Sequence, residues 1–154
     1  MEAENFALLQ KNIALNHLDG RVSAIRAAVW DSHSPVTISR HGFNQGMHRA
    51  TPTSTGDEIP TLTLSQLIQS PETEAIDMLK IDIEGSEARI LGHPNSAFLS
   101  TKVRYIVAEI HPTVSRHQIA SYLEASGFAV TAKRQWFRRA AILHAVNRSF
   151  SYTS

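Results

Sequence analysis

Residues 79–87, LKIDIEGSE, set a lysine, an aspartate and two glutamates around what otherwise reads as a buried strand. The apolar run begins earlier, and AIDMLKIDI (75–83) is nearly continuous, as expected of a strand covered on both faces by helices. Its carboxylates, Asp82, Glu84 and Glu87, gather where the strand ends. A second buried strand, VRYIVAEI (103–110), ends in Glu109 and His111. Ligands of open α/β sheets sit outside the carboxyl ends of the strands. Neighbouring strands lie about 4.8 Å apart, so if these two are neighbours their polar tips share one crevice.

Asp82 and Glu84 have the same strand parity and point the same way if the strand runs that far. Gly85 permits a tight turn after them. Lys80 shares the parity and can hold a carboxylate in its ionised form. Such a group can polarise or deprotonate a hydroxyl, or hold a divalent cation through oxygen ligands. The same residues also fit a plainer account. Asp82 then caps the next helix, Glu84 is solvated, Lys80 pairs with either acid, and His111-Pro112 simply starts a loop. The eight histidines show no HExxH or similarly tight spacing, and there is no cysteine. The sequence therefore carries no zinc signature, and no metal ligand is assigned from it.

Working outward, ENFALLQKNIALNHL (4–18) repeats its apolar residues at helical spacing, and Asp19-Gly20 is the expected stop. RVSAIRAAVWD reads as a strand from about Val22 to Val29, with PVTIS as a short partner for it. Residues 41–58 are polar, contain three glycines and show no periodicity, which predicts a long functional loop. In TLTLSQLIQS, Thr63 and Gln66 form a capping box for a short helix. Ser86 is placed to cap a helix EARIL, ended by Gly92 and Pro94. Ser115 and Gln118 form a second box for RHQIASYLEAS, with Gly127 as its C-terminal glycine. FAVTAKRQW and AAILHAVN then read as two antiparallel strands. Alternation of this kind predicts an α/β sheet with helices on both faces, in a single domain over residues 1–154.

The bulk numbers narrow the function. The 154 residues are 42% hydrophobic and 19% charged, enough apolar material for a packed core. Fifteen basic against fourteen acidic residues leave a net charge of +1, so neither nucleic acid nor an acidic membrane is the expected partner. No apolar run approaches the roughly 20 residues of a membrane span. The first residues carry acids where a signal peptide carries positive charge, and the absence of cysteine fits a reducing compartment. A soluble cytoplasmic protein is expected. The segment AKRQWFRRA (132–140) interleaves basic and aromatic residues. It suits single-stranded nucleic acid, but the near-neutral total favours a solvated hairpin with Trp136 and Phe137 packed on the sheet.

ENFALLQKNIALN, AAVWD, TLTLSQLI, LKIDIEGSE and IVAEIHP, in this order and spacing, resemble the FkbM-like family of S-adenosylmethionine-dependent methyltransferases. The resemblance runs from about Glu4 to Asn147. It implies a Rossmann-like class I methyltransferase fold that methylates a hydroxyl of a small molecule or sugar. It further implies that Asp31 accepts the adenine amino group and that Asp82 lies beside the methionine part of the cofactor and the acceptor. His111 or Asp82 becomes the candidate base, while Glu84, Glu87, Glu109 and His111 match polar positions of the signature, and Lys80, Glu84 and Glu109 join the catalytic candidates.

There are two departures from the family pattern. Ser65 stands where the family usually has an acid. The family also begins with a strand, a glycine-rich turn and a second strand, and none of the seven glycines here builds a G-x-G turn. The expectation is a domain truncated at its N-terminus, lacking the first two strands. Four strands from AIDMLKIDI onward can still form a sheet, whereas the strand ending at Asp31 loses its neighbour. It then pairs elsewhere, frays, or joins a second copy or a partner chain that completes the sheet. An inactive descendant serving as an interaction module is the alternative to an enzyme.

Overall fold

The computed structural model describes residues 3–31, 36–40, 48–51, 58–68, 74–92, 95–134 and 140–150; the side chains of 36–40, 48–51, Glu58 and Arg134 are left undescribed. The chain divides into two compact units, residues 1–63 and 64–154.

The first unit opens with α1 (Ala3–Leu15). Its stop lies upstream of the expected Asp19-Gly20. The Leu18 amide donates to the Ile13 carbonyl and that of His17 to Ala14, while His17 holds φ 55. This is a Schellman end with histidine in the position glycine usually takes. The predicted strand over 22–29 shrinks to β1 (Ala28–Val29), which pairs in parallel with β5 (Thr61–Leu62). A strand needs a partner for each residue it extends, and sequence alone could not show how few this one has. PVTIS does form β2 (Val36–Arg40), but it does not pair with β1. It joins β3 (His48–Thr51) and β4 (Glu58–Ile59), both antiparallel to it. The expected loop over 41–58 therefore holds a strand and the first residue of another. Residues 41–47 and 52–57, with Gly42 and Gly46, lie outside the described residues. Among the described residues of this unit, Ile13, Trp30 and Ile59 are the buried apolar side chains.

The second unit starts with α2 (Leu64–Leu67) and contains the four-stranded sheet the apolar runs predict. Its strands are β6 (Ile76–Ile81), β7 (Val103–Ile110), β8 (Phe128–Arg134) and β9 (Ala141–Asn147), in the order β6-β7-β9-β8. β6 and β7 are parallel, with Ile81 opposite Ala108; β9 is antiparallel to both of its neighbours. Two helices connect β6 to β7: α3 (Glu87–Leu91) and α4 (Ser96–Lys102), the latter not foreseen. α5 (Arg116–Ala125) leads from β7 to β8. Ile106, Ala108 and Ile110 of β7 and Leu143 and Ala145 of β9 share a buried face with Ile90, Leu99, Ile119 and Leu123 of the helices. Burial of this kind supplies roughly 25 cal/mol per Å² of apolar area removed from water.

β6 corrects one expectation. It is an edge strand of its sheet, and Met78 and Lys80 on one of its faces are exposed, so helices do not cover both sides. The capping expectations split. The Ser115 hydroxyl accepts from the Gln118 amide at 3.3 Å, but the Gln118 side chain donates to Tyr122 instead of closing the box. Ser86 precedes α3 without a side-chain cap bond, and Gly92 follows α3 as expected. Gly127, at φ 91, ends α5. Pro94, Trp136 and Phe137 lie outside the described residues. Among the described residues, no helix is long and apolar enough to cross a membrane.

Candidate functional site

Because β6 and β7 are parallel, their carboxyl ends open on the same edge of the sheet. Asp82 follows the last residue of β6 and His111 the last of β7. Their convergence is the feature the sequence predicted.

Strand parity does not bring Glu84 to the site, because β6 ends at Ile81. A turn does so instead. The Ser86 amide donates to the Ile83 carbonyl at 3.4 Å, and both central residues hold positive φ, 52° at Glu84 and 99° at Gly85. Glycine tolerates that conformation freely; a glutamate does so only at some strain. The reversal returns Glu84 toward β7 and starts α3 at Glu87.

Glu87 is the residue whose weight the sequence understated. It carries the signature's second glutamate at the first position of a short helix, where a solvated acid is usual. Here it is fully buried. Its Oε1 accepts from the Gly85 amide at 3.0 Å and lies 2.7 Å from His111 Nδ1. Among the described residues its Oε2 has no hydrogen-bond partner. With Nδ1 engaged by a buried carboxylate, the imidazole is fixed in orientation and Nε2 is left facing the rim. Nε2 lies 3.2 Å from Glu84 Oε2.

One ligand atom each from Asp82, Glu84 and His111 lie within 4.8 Å of one another. Lys80 Nζ sits 3.6 Å from Asp82 Oδ2, both side chains reaching solvent, so the shared parity of this pair is real and its energy small. Glu109 stands outside that cluster but contributes charge to it. Burial pulls the His111 pKa down, yet the hydrogen bond and charge of Glu87, with the charges of Glu84 and Glu109, outweigh it. The net result is a pKa held above the ordinary imidazole value. A cleft of about 330 Å³ opens beside His111, lined by Val114, Ser115, Arg116, His117 and Ala141 among others. That is within the size range of small-molecule sites.

Asp31 is exposed and directly follows Trp30, whose amide donates to the Leu62 carbonyl. It thus lies past the carboxyl end of the β1–β5 pair, in the first unit, whereas Lys80, Asp82, Glu84, Glu109 and His111 all belong to the second.

Comparison with known proteins gives the site a setting. The 31-O-demethyl-FK506 methyltransferase FkbM of Streptomyces tacrolimicus is 36% identical to the chain over 83 residues, 52% of this chain and 32% of that protein. The chain thus spans about a third of the length of that curated relative. No solved structure matches it. The family model described as the methyltransferase FkbM domain matches residues 2–133, most of the chain and every polar group of the rim, and on that match the chain belongs to the FkbM methyltransferase family.

Proposed function

We propose that this chain is the catalytic part of an S-adenosylmethionine-dependent O-methyltransferase with a Rossmann-like fold, acting on a hydroxyl of a small molecule or sugar. The observation that carries the reading is the buried Glu87 fixing His111 at the shared carboxyl edge of two parallel strands. The relative's name, a 31-O-demethyl-FK506 methyltransferase, supports an oxygen as the acceptor atom.

In the second unit Asp82, past the end of β6, offers a carboxylate suited to the methionine end of this cofactor, which is cationic at its sulfonium. When bound, it supplies a methyl group already activated for displacement. What remains for the protein is to align an acceptor oxygen and take its proton. The cleft beside His111 would hold the acceptor, with Arg116 and His117 as its polar wall. Nε2 of neutral His111 would accept the proton of an acceptor hydroxyl held in the cleft, leaving that oxygen ready to take up the methyl group. Glu87 would then stabilise the imidazolium formed, as the charge already favours.

Calorimetric titration of the folded chain with S-adenosylhomocysteine tests the reading, followed by methyl transfer to a panel of hydroxylated acceptors. Micromolar binding is expected. His111→Gln should lower the transfer rate by about 10²–10⁴-fold with little change in cofactor affinity, the range typical of a lost general base. A folded chain that binds no S-adenosylhomocysteine would show that these residues alone do not make a methyltransferase.

A further inference from the structure

We infer that Asp82, Glu84 and His111 form a binding site for one divalent cation. Their three ligand atoms, an imidazole nitrogen and two carboxylate oxygens, already lie within 4.8 Å of one another. Two ligands bound side by side at 2.1–2.2 Å from one ion stand about 3 Å apart. The 3.2 Å between His111 Nε2 and Glu84 Oε2 matches that span. Asp82, partly exposed, has room to close the remaining distance by a change of rotamer.

Two further observations point to a cation rather than to a chance grouping of acids. A histidine that ligates a metal almost always donates its other ring nitrogen to a carboxylate, which fixes the ring and strengthens the ligand. The bond between His111 Nδ1 and the fully buried Glu87 is that arrangement. The Oε2 atom of Glu87 is, moreover, a buried carboxylate oxygen with no hydrogen-bond partner among the described residues, on the side chain that touches His111.

The mixed nitrogen and oxygen set without thiolate suits Mn²⁺ or Mg²⁺, with waters completing the shell. The functional consequence rests on the reading of this rim as the place of methyl transfer. An acceptor hydroxyl bound to the ion would be more acidic, and in this metal-bound form, with Nε2 of His111 serving as a ligand, the second oxygen of the Asp82 carboxylate, the one not on the ion, would take the proton in place of His111.

The test uses the full chain stripped of metal and titrated with Mn²⁺, following loss of the free-ion signal by electron paramagnetic resonance. One site per chain at micromolar strength is expected. Glu84→Gln and His111→Gln, checked for folding by circular dichroism, should each weaken it at least tenfold. Asp77→Asn, which removes an exposed carboxylate of β6 outside the cluster, should leave it unchanged. Absence of any site tighter than millimolar in the folded chain overturns the inference, as does equal binding by all four proteins. Titration with S-adenosylhomocysteine in EDTA separates the two ideas. Mn²⁺ binding without cofactor binding keeps the cation site and removes the methyltransferase reading; the reverse result keeps the enzyme and removes the site.

Discussion

Glu84 holds a left-handed backbone next to a glycine that adopts one freely, and strain of this kind persists where a side chain is needed in one place. Its carboxylate lies 3.2 Å from His111 Nε2. The imidazole in turn makes the rim sensitive to pH. Its folded pKa is raised above the unfolded value near 6.5, so its stabilising contribution is complete below that value. It is lost as the pH climbs through the raised folded value. Urea unfolding of the chain in EDTA should therefore show stability falling with rising pH across that window, and His111→Gln should flatten this part of the profile. Parallel profiles for parent and variant would count against the assignment. The sequence made the residue types legible at this scale, since Asp82, Lys80 and His111 meet as their positions at strand ends require. It did not show that Glu87 is buried, because an acid in the first turn of a short helix looks the same whether water or a histidine faces it.

Between residues and fold, the ends of elements were legible where one side chain or one glycine decides them. Ser115 starts α5 and Gly127 follows it, both as patterned. A Cβ on Gly127 would meet nothing closer than Ser149 Oγ at 4.0 Å. A substitution there is consequently a pure test of backbone strain. Gly127→Ala should cost about 1 kcal/mol, the ordinary penalty for a left-handed alanine, measured as a shift in the urea midpoint with unchanged slope. A larger loss would mean that packing, not φ, selects glycine. Elements fixed from a distance were not legible. SAFLSTK carries no strong helical stripe, and Asn95 before it makes no capping bond. Among the described residues, only Thr61 and Leu62 pair with β1, which stops at two residues. Histidine at the end of α1 gave no signal either, since the usual marker of that conformation is glycine.

For the molecule as a whole, the long apolar runs predicted the sheet of the second unit, while the polar stretch that pairs β2, β3 and β4 hid its strands. Asn147 shows how a single residue ties that sheet to its connections. Fully buried at the end of β9, it donates from Nδ2 to the carbonyls of Ser100 and Val103 at 2.8 and 2.9 Å, and its Oδ1 accepts from Ser149. Asn147→Leu removes the side-chain donor from both carbonyls, the bond to Val103 being buried. A loss of about 2–4 kcal/mol in thermal or urea unfolding is expected, on the usual penalty for unmet polar groups; an unchanged midpoint would show that water reaches them. The strand order carries a consequence for synthesis. A chain leaving the ribosome can pair β6 with β7 as soon as residue 110 is free, but β8 emerges with no neighbour in its sheet, because the strand that joins it to β7 is made after it. Until residues 141–147 appear, β8 presents an unpaired backbone to whatever is nearby, so closure of this sheet is a late event in the life of every newly made copy.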